Sequence, residues 1–211
     1  VKGNGQFESK NLLRIKTDSE NYLLSFESCV IATGSRPVEL PHLKIDQKQI
    51  LDSTGALLQR AAPKRLLCVG GGYIGLELGT FYSKVGSQVC VVEAGPTLLG
   101  SVDADLTKVV AQKLQKSGVE LKVGVALKDL KKTSSGELEV GFDDGTKKHF
   151  DQIIVTVGRK PNTEKLGLEN AGVKTDGKGF VAVGAQRETN VPGIYAIGDV
   201  AGQPLLAHKG S

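Results

Sequence analysis

Arg65-Leu66-Leu67-Cys68-Val69, then Gly70-Gly71-Gly72-Tyr73-Ile74-Gly75, a helical run, Gln88-Val89-Cys90-Val91-Val92 and Glu93 read as strand, glycine turn, helix, strand and acid. That is the order of a dinucleotide-binding βαβ unit, in which each glycine has a mechanical task. Gly70 permits the tight turn, Gly72 lets the backbone approach a pyrophosphate, and Gly75 lets the helix pack close to the strand. N–H groups at the helix start, with the positive end of its dipole, then favour phosphate. Glu93 lies ~20 residues past Gly70, the separation at which an acid accepts a hydrogen bond from a ribose 2′-hydroxyl. Its carboxylate would repel a 2′-phosphate, so the reading is NAD(H) rather than NADP(H). The competing reading is a glycine turn that merely joins strand to helix, and the elements on both sides favour the nucleotide.

Within that helix Ile74, Leu78, Phe81 and Val85 recur at helical spacing, which predicts the face turned to the sheet. Gly79 costs about 1 kcal/mol relative to alanine in a helix interior, and so marks a further close contact. A second amphipathic helix over 103–117 carries Leu106, Val109, Val110 and Leu114 on one face, and a strand follows at 119–123. Strands alternating with helices predict a parallel sheet. Residues 127–132, 137–142 and 148–155 read as antiparallel strands, with a hairpin turn signal at Asp143-Asp144-Gly145. Upstream, 12–26 reads as a β-hairpin, 28–32 as a buried strand and 37–52 as a connection, with Asp52-Ser53 capping a short helix through Leu58. Downstream, the strand 194–197 runs into Gly198-Asp199. Asp199 is either a helix N-cap or an acceptor for a ligand at the strand's carboxyl end, and both readings stay open.

Composition narrows the class. Hydrophobic content of 39%, charge of 24% and 27 glycines fit an α/β chain with many turns, long enough for one or two domains. The net charge of +4 is dispersed among acids, without a basic stripe interleaved with aromatics, so nucleic-acid binding has little support. No apolar run approaches the ~20 residues of a membrane span, and the polar start does not resemble a signal peptide. The three cysteines, Cys29, Cys68 and Cys90, are odd in number and widely spaced, so neither a disulfide framework nor a metal site is expected. The sequence contains no methionine, which predicts a piece of something longer.

Five motifs then occur in one order: Ala32-Thr33-Gly34-Ser35-Arg36-Pro37, the glycine turn, Val157-Gly158-Arg159-Lys160-Pro161-Asn162, the run 189–199, and Leu205-Leu206-Ala207-His208-Lys209. Together they resemble the flavoprotein disulfide reductases, most closely the dihydrolipoamide dehydrogenases of bacterial type. The resemblance implies a Rossmann-like NAD-binding domain, a parallel sheet plus an antiparallel β-meander, inserted in a partial FAD-binding domain. Its implied boundaries are 1–35 for the end of the first FAD segment, 36–158 for the NAD domain and 159–211 for the returning FAD segment.

By the same resemblance Gly70, Gly71, Gly72, Tyr73, Ile74, Gly75, Leu76, Glu77, Glu93, Val125 and Gly158 contact NAD. Gly5, Thr33, Gly34, Ser35, Asp199, Leu205, Leu206, Ala207 and His208 contact FAD. Tyr73 matches a residue that covers the flavin face, though it also reads as an aromatic packed on the sheet. Glu77 resembles an acid that pairs with a lysine beside the redox disulfide, though it also reads as a solvated helix residue. The implied activity is oxidation of protein-bound dihydrolipoamide through a disulfide and FAD to reduce NAD+. The implied partners are lipoyl-bearing components of 2-oxo acid dehydrogenase complexes, with a homodimeric parent in the cytoplasm. The family's N-terminal glycine fingerprint, Cys-x4-Cys disulfide and His–Glu base are not in this sequence. The expectation is therefore a central portion that binds nucleotide without catalytic residues of its own; an NAD(H) module without catalysis, or another NAD-linked reductase of the same fold, is the alternative. Two further departures from the family are Glu188, just before Thr189, where an arginine is common, and Gly184, where an aspartate is usual.

Overall fold

The computed structural model describes residues 2–210. The chain divides into two compact units, one made of Val1–Arg36 with Arg159–Ser211 and the other of Pro37–Gly158.

The first unit begins with an antiparallel sheet of β1 (Asn4–Ser9), β2 (Leu12–Lys16) and β3 (Asn21–Ser25). The hairpin of β2 and β3 is the expected one. β1 is additional: its residues are mostly polar, and Phe7, 3% exposed, is its one fully buried side chain. The strand β4 (Cys29–Ile31) is less enclosed than its apolar run implies, because Val30 is 54% exposed while Ile31 is buried. Strand β5 (Ser35–Pro37) closes this segment.

The second unit is built on a parallel sheet. Its edge strand β6 (Ile50–Leu51) lies in the stretch expected to be only a connection, and Leu43 from the same stretch is fully buried. Helix α1 (Ser53–Leu57) starts where expected, with the Asp52 carboxylate accepting from the Gly55 amide at 2.7 Å. Then come β7 (Arg65–Val69), α2 (Tyr73–Lys84), β8 (Gln88–Glu93), α3 (Ala104–Lys116) and β9 (Glu120–Val123). An antiparallel meander, β10 (Leu127–Lys132), β11 (Leu138–Phe142) and β12 (Lys147–Phe150), leads into β13 (Gln152–Val155). The parallel order is β6-β13-β7-β8-β9.

Both faces of this sheet are covered, which is why its strands read as continuous apolar runs rather than alternating ones. Leu66, Cys68, Val89 and Val91 face the helices with Leu76, Tyr82 and Leu114. Leu67, Val69, Cys90 and Val92 face the meander with Val140, Phe142 and Phe150. The expected helix faces need correction. In α2 the buried residues include Leu76, Leu78 and Tyr82, whereas Phe81 and Val85 are about half exposed. In α3 Leu114 is buried, with Val110 packed beside the core, but Leu106 and Val109 face outward. The expected pattern was therefore rotated relative to the true contact stripe, because small and aromatic residues at other positions of the turn make the contact.

Residues 148–155 are also corrected, from one strand to two. The break is at Asp151, whose carboxylate accepts from the Arg65 amide at 2.8 Å and from its guanidinium at 2.6 Å. The Asp151 amide donates back to the Arg65 carbonyl at 3.0 Å. This exchange ends the meander and starts β13 in parallel register beside β7, with Gln152 opposite Leu66.

The first unit resumes with β14 (Arg159–Pro161), paired with β5, then the short α4 (Leu168–Ala171) and β15 (Ile194–Ala196). β15 pairs in parallel with β4, Tyr195 opposite Val30. A 3₁₀ turn, Gly198–Ala201, follows directly. The two family departures meet here. A Cβ at Gly184 would lie 2.8 Å from Glu188 Cδ, so an aspartate there would crowd a like charge.

Candidate functional site

The glycine turn lies at the carboxyl end of β7, where open parallel sheets receive ligands. Its glycines are required for different reasons. Gly70 has φ +109°, and a side chain on it would meet the Thr156 carbonyl oxygen at 2.5 Å. A Cβ on Gly75 would run into the Gly70 carbonyl and lie 2.6 Å from Thr156 Oγ1, so α2 approaches the sheet as expected. Gly71 is filled by its surroundings too, with Leu98 Cδ2 at 2.6 Å and Glu93 Cβ at 3.0 Å from the position of an added Cβ. Gly72 differs: its backbone is extended (φ −76°, ψ 176°), and nothing lies within 4 Å of where its side chain would be. Gly72 is also the N-cap of α2 and supplies no side-chain cap.

Thr156 was not singled out in the sequence. Its Oγ1 donates toward the Val69 carbonyl at 3.0 Å and the Gly70 carbonyl at 3.2 Å, while its amide donates to Val69 at 2.8 Å. It pins the turn to the end of β13. A hydroxyl directly after an apolar strand, one sheet position from a glycine turn, is the signal that would have found it.

Glu93 closes β8 beside the turn. One carboxylate oxygen accepts from the Gly71 amide at 2.7 Å and the other from the Gly95 amide at 2.6 Å. Val125 donates its amide to the Glu93 carbonyl at 3.0 Å, which brings it to the same end of the sheet. Gly158, with φ +129°, accepts from the Val38 amide at 3.0 Å. Ile74 packs against the helix-side core and Leu76 is buried, whereas Tyr73 is 42% exposed and Glu77 is exposed.

In the first unit, residues far apart in sequence meet. Ser35 Oγ donates to Asp199 Oδ2 at 2.5 Å, and Arg159 Nε donates to Ser35 Oγ at 2.6 Å while standing 3.6 Å from Asp199 Oδ2. Asp199 lies inside its turn, whose N-cap is Ile197 with no side-chain cap, so the N-cap reading does not hold. Thr33 and Asn162 exchange hydrogen bonds at 2.8 and 2.9 Å, and the Gly34 carbonyl accepts from the Asn162 amide at 3.0 Å. Gly5 lies inside β1, opposite Ile15, rather than beside these groups in the sheet pairing. Leu205 and Leu206 precede a short turn, Ala207–Lys209, that contains Ala207 and His208. Lys209 Nζ holds that region by donating to the carbonyls of Ala201, at 3.1 Å, of Gln203, at 2.9 Å, and of Gly202.

The cysteines lack activation. Cys68 and Cys90 are buried on opposite faces of one sheet, and burial pushes each thiol up to about 12. Burial also raises Cys29. Among the described residues no cluster of three or more His, Cys, Asp or Glu is placed to hold a metal ion, and no helix is long and apolar enough to cross a membrane.

The glycine turn thus lies at the end of a parallel α/β sheet in one unit, and the motifs of residues 33–36, 159–162 and 199 are gathered in the other. Residues 1–211 match the family described as pyridine nucleotide-disulphide oxidoreductase, and the chain belongs to it. At 40% identity over 213 residues it is similar to dihydrolipoyl dehydrogenase of Geobacillus stearothermophilus, and at 40% over 215 residues to that of Bacillus subtilis. Each alignment takes in 100% of this chain and 45% of the relative, so the chain spans just under half the length of these curated relatives. Among solved structures it is similar to the HOCl-induced flavoprotein disulfide reductase RclA from Escherichia coli (TM-score 0.90) and to LpdA from Mycobacterium tuberculosis (TM-score 0.89). Both are 27% identical, and each match covers 100% of this chain and 47% of theirs.

Proposed function

We propose that Pro37–Gly158 binds NAD(H) at the glycine turn, in a protein that oxidises protein-bound dihydrolipoamide through a disulfide and FAD and reduces NAD+. The observation that carries this is Gly72. Its neighbours are glycine because the protein fills the space around them, whereas Gly72 has open space and a backbone angle that any residue adopts. A glycine the fold does not require, at an uncapped helix start, fits a place where a diphosphate comes against the backbone.

In this reading the turn from Gly70 to Gly75, with Leu76 and Glu77 behind it, forms the phosphate end of the site. Glu93 accepts from the adenosine ribose, and Val125 and Gly158 border the cofactor further along. Bound NAD+ supplies the hydride acceptor; the residues of this chain bind and orient it. Tyr73, at the start of α2, and Glu77, one turn further on, are exposed and are supporting groups rather than acid–base catalysts. FAD is assigned to the other unit. There Asp199, oriented by Ser35 and Arg159, accepts from the flavin's polyol chain, and Gly5, Thr33, Gly34, Leu205, Leu206, Ala207 and His208 complete this chain's share. The thiols are buried or raised, and no pair has the Cys-x4-Cys spacing, so this chain by itself is assigned no lipoamide turnover. The names of the similar dehydrogenases support a dihydrolipoyl substrate; lipoyl-bearing 2-oxo acid dehydrogenase components as partners, and a cytoplasmic homodimer as the setting, are assigned from the family resemblance alone.

Titration with NADH and NADPH tests the assignment, with tighter NADH binding expected. Gly72→Ser sharpens it. Serine is a good N-cap, so the fold is retained, yet its side chain enters the diphosphate space. Unchanged stability with at least tenfold weaker NADH binding is expected. Undiminished NADH binding would remove Gly72 from the site.

A further inference from the structure

We infer that Glu93 is a positioning residue for the glycine turn as well as the sugar acceptor, so that cofactor choice cannot be changed at this position without loosening the phosphate end. The inference rests on the NAD(H) reading above and concerns how the site is held before ligand arrives.

Three observations lead there. Each carboxylate oxygen already holds one backbone amide, Gly71 at 2.7 Å on the turn and Gly95 at 2.6 Å on the loop after β8. The side chain takes up space at both glycines, together with the nearer Leu98 Cδ2 at Gly71. A Cβ at Gly95 would lie 2.9 Å from Glu93 Oε1, and one at Gly71 would lie 3.0 Å from Glu93 Cβ. The backbone of the same segment completes the tie: Glu93 and Gly95 accept through their carbonyls from Val125 and Gly124, each at 3.0 Å. One residue thus joins the glycine turn, the end of β8 and the loop after β9.

The chemistry of a carboxylate allows both roles at once. Its two oxygens offer about four acceptor sites. Two are taken by the amides, which leaves about two for the neighbouring hydroxyls of a ribose. Glutamine cannot substitute, since it has one acceptor oxygen and its NH₂ would face an amide N–H. Arginine has no acceptor at all, so it would leave both amides without a partner while offering charge to a 2′-phosphate.

The test uses the full 211-residue chain with Glu93→Gln and Glu93→Arg. In the ligand-free protein, amide exchange at Gly71 and Gly95, read by NMR, should quicken at least tenfold in both variants, with Leu67 and Ile154 in the sheet unchanged. NADH affinity should fall at least tenfold in both, and the Arg variant should gain no NADPH affinity. Wild-type exchange at both glycines would overturn the inference, as would an Arg variant that gains NADPH with the turn unperturbed. Glu93→Asp, which keeps the charge but shortens the reach, gives the same readout if the other variants do not fold; wild-type exchange in it is equally contrary. Because exchange is measured without nucleotide, quickened exchange in a chain that never binds NADH would sink the cofactor reading and leave the positioning role standing.

Discussion

Gly72, Gly75 and Gly79 lie on one stretch of chain and are glycine for three unlike reasons, which gives three unlike substitution outcomes. Gly75→Ala drives a methyl into the Gly70 carbonyl and Thr156, and should cost about 1–3 kcal/mol in urea unfolding. Gly79 lies against the sheet as the sequence predicts, but not so closely that only glycine fits. It is buried against the sheet, but a Cβ would meet Val89 and Val91 at 3.5 Å and Cys68 Sγ at 3.6 Å, which is ordinary contact. Gly79→Ala should therefore be neutral or stabilising by up to about 1 kcal/mol; a loss larger than that would show that the helix is closer to the sheet than described. The thiols give a further residue-level test. With Cys68 and Cys90 enclosed and raised to about 12, no more than one cysteine should react quickly with a thiol reagent near neutral pH, and all three should react in denaturant.

At the scale of elements, the junction at Arg65 and Asp151 decides whether the meander runs on or turns into the sheet. Arg65 beside it holds the Asp151 carboxyl below the ordinary carboxylate range, and Arg65 lowers Glu137 in the same way. A depressed folded value means stability present above the unfolded carboxylate range and lost as pH falls through the folded one. Asp151→Ala should thus cost about 1–2 kcal/mol near neutral pH and flatten the decline of stability below about pH 4. Equal acid slopes in parent and variant would assign the decline to other groups. The same junction shows what the sequence conceals. The apolar runs of β7, β8 and β13 are visible because both faces are covered, but the division of residues 148–155 depends on a partner more than eighty residues away. β1 and β6 were hidden for a related reason, since a polar strand and a two-residue edge strand acquire their meaning from pairing. The faces of α2 and α3 were misjudged because exposed Phe81, Val85, Leu106 and Val109 keep helical spacing without lying on the buried stripe.

At the scale of the molecule, the two compact units are assigned different cofactors. The glycine turn and Glu93 were legible from local order alone, because a βαβ unit carries its own context. The meeting of Ser35, Arg159 and Asp199 was not, since these residues are brought together by pairing across more than a hundred positions. Thr156 was missed because the turn it holds lies 86 positions away along the chain. The full chain should bind NADH and show no dihydrolipoamide oxidation in a standard NAD+-reduction assay; measurable turnover would mean that a thiol or base in this chain had been overlooked. The most direct measurement is a crystal structure of the chain with NAD+. Diphosphate oxygens about 3 Å from backbone amides at the start of α2, with ribose hydroxyls on a Glu93 still bonded to Gly71 and Gly95, are the result expected. Coenzyme bound elsewhere, or a Glu93 carboxylate turned away from the sugar, would contradict it.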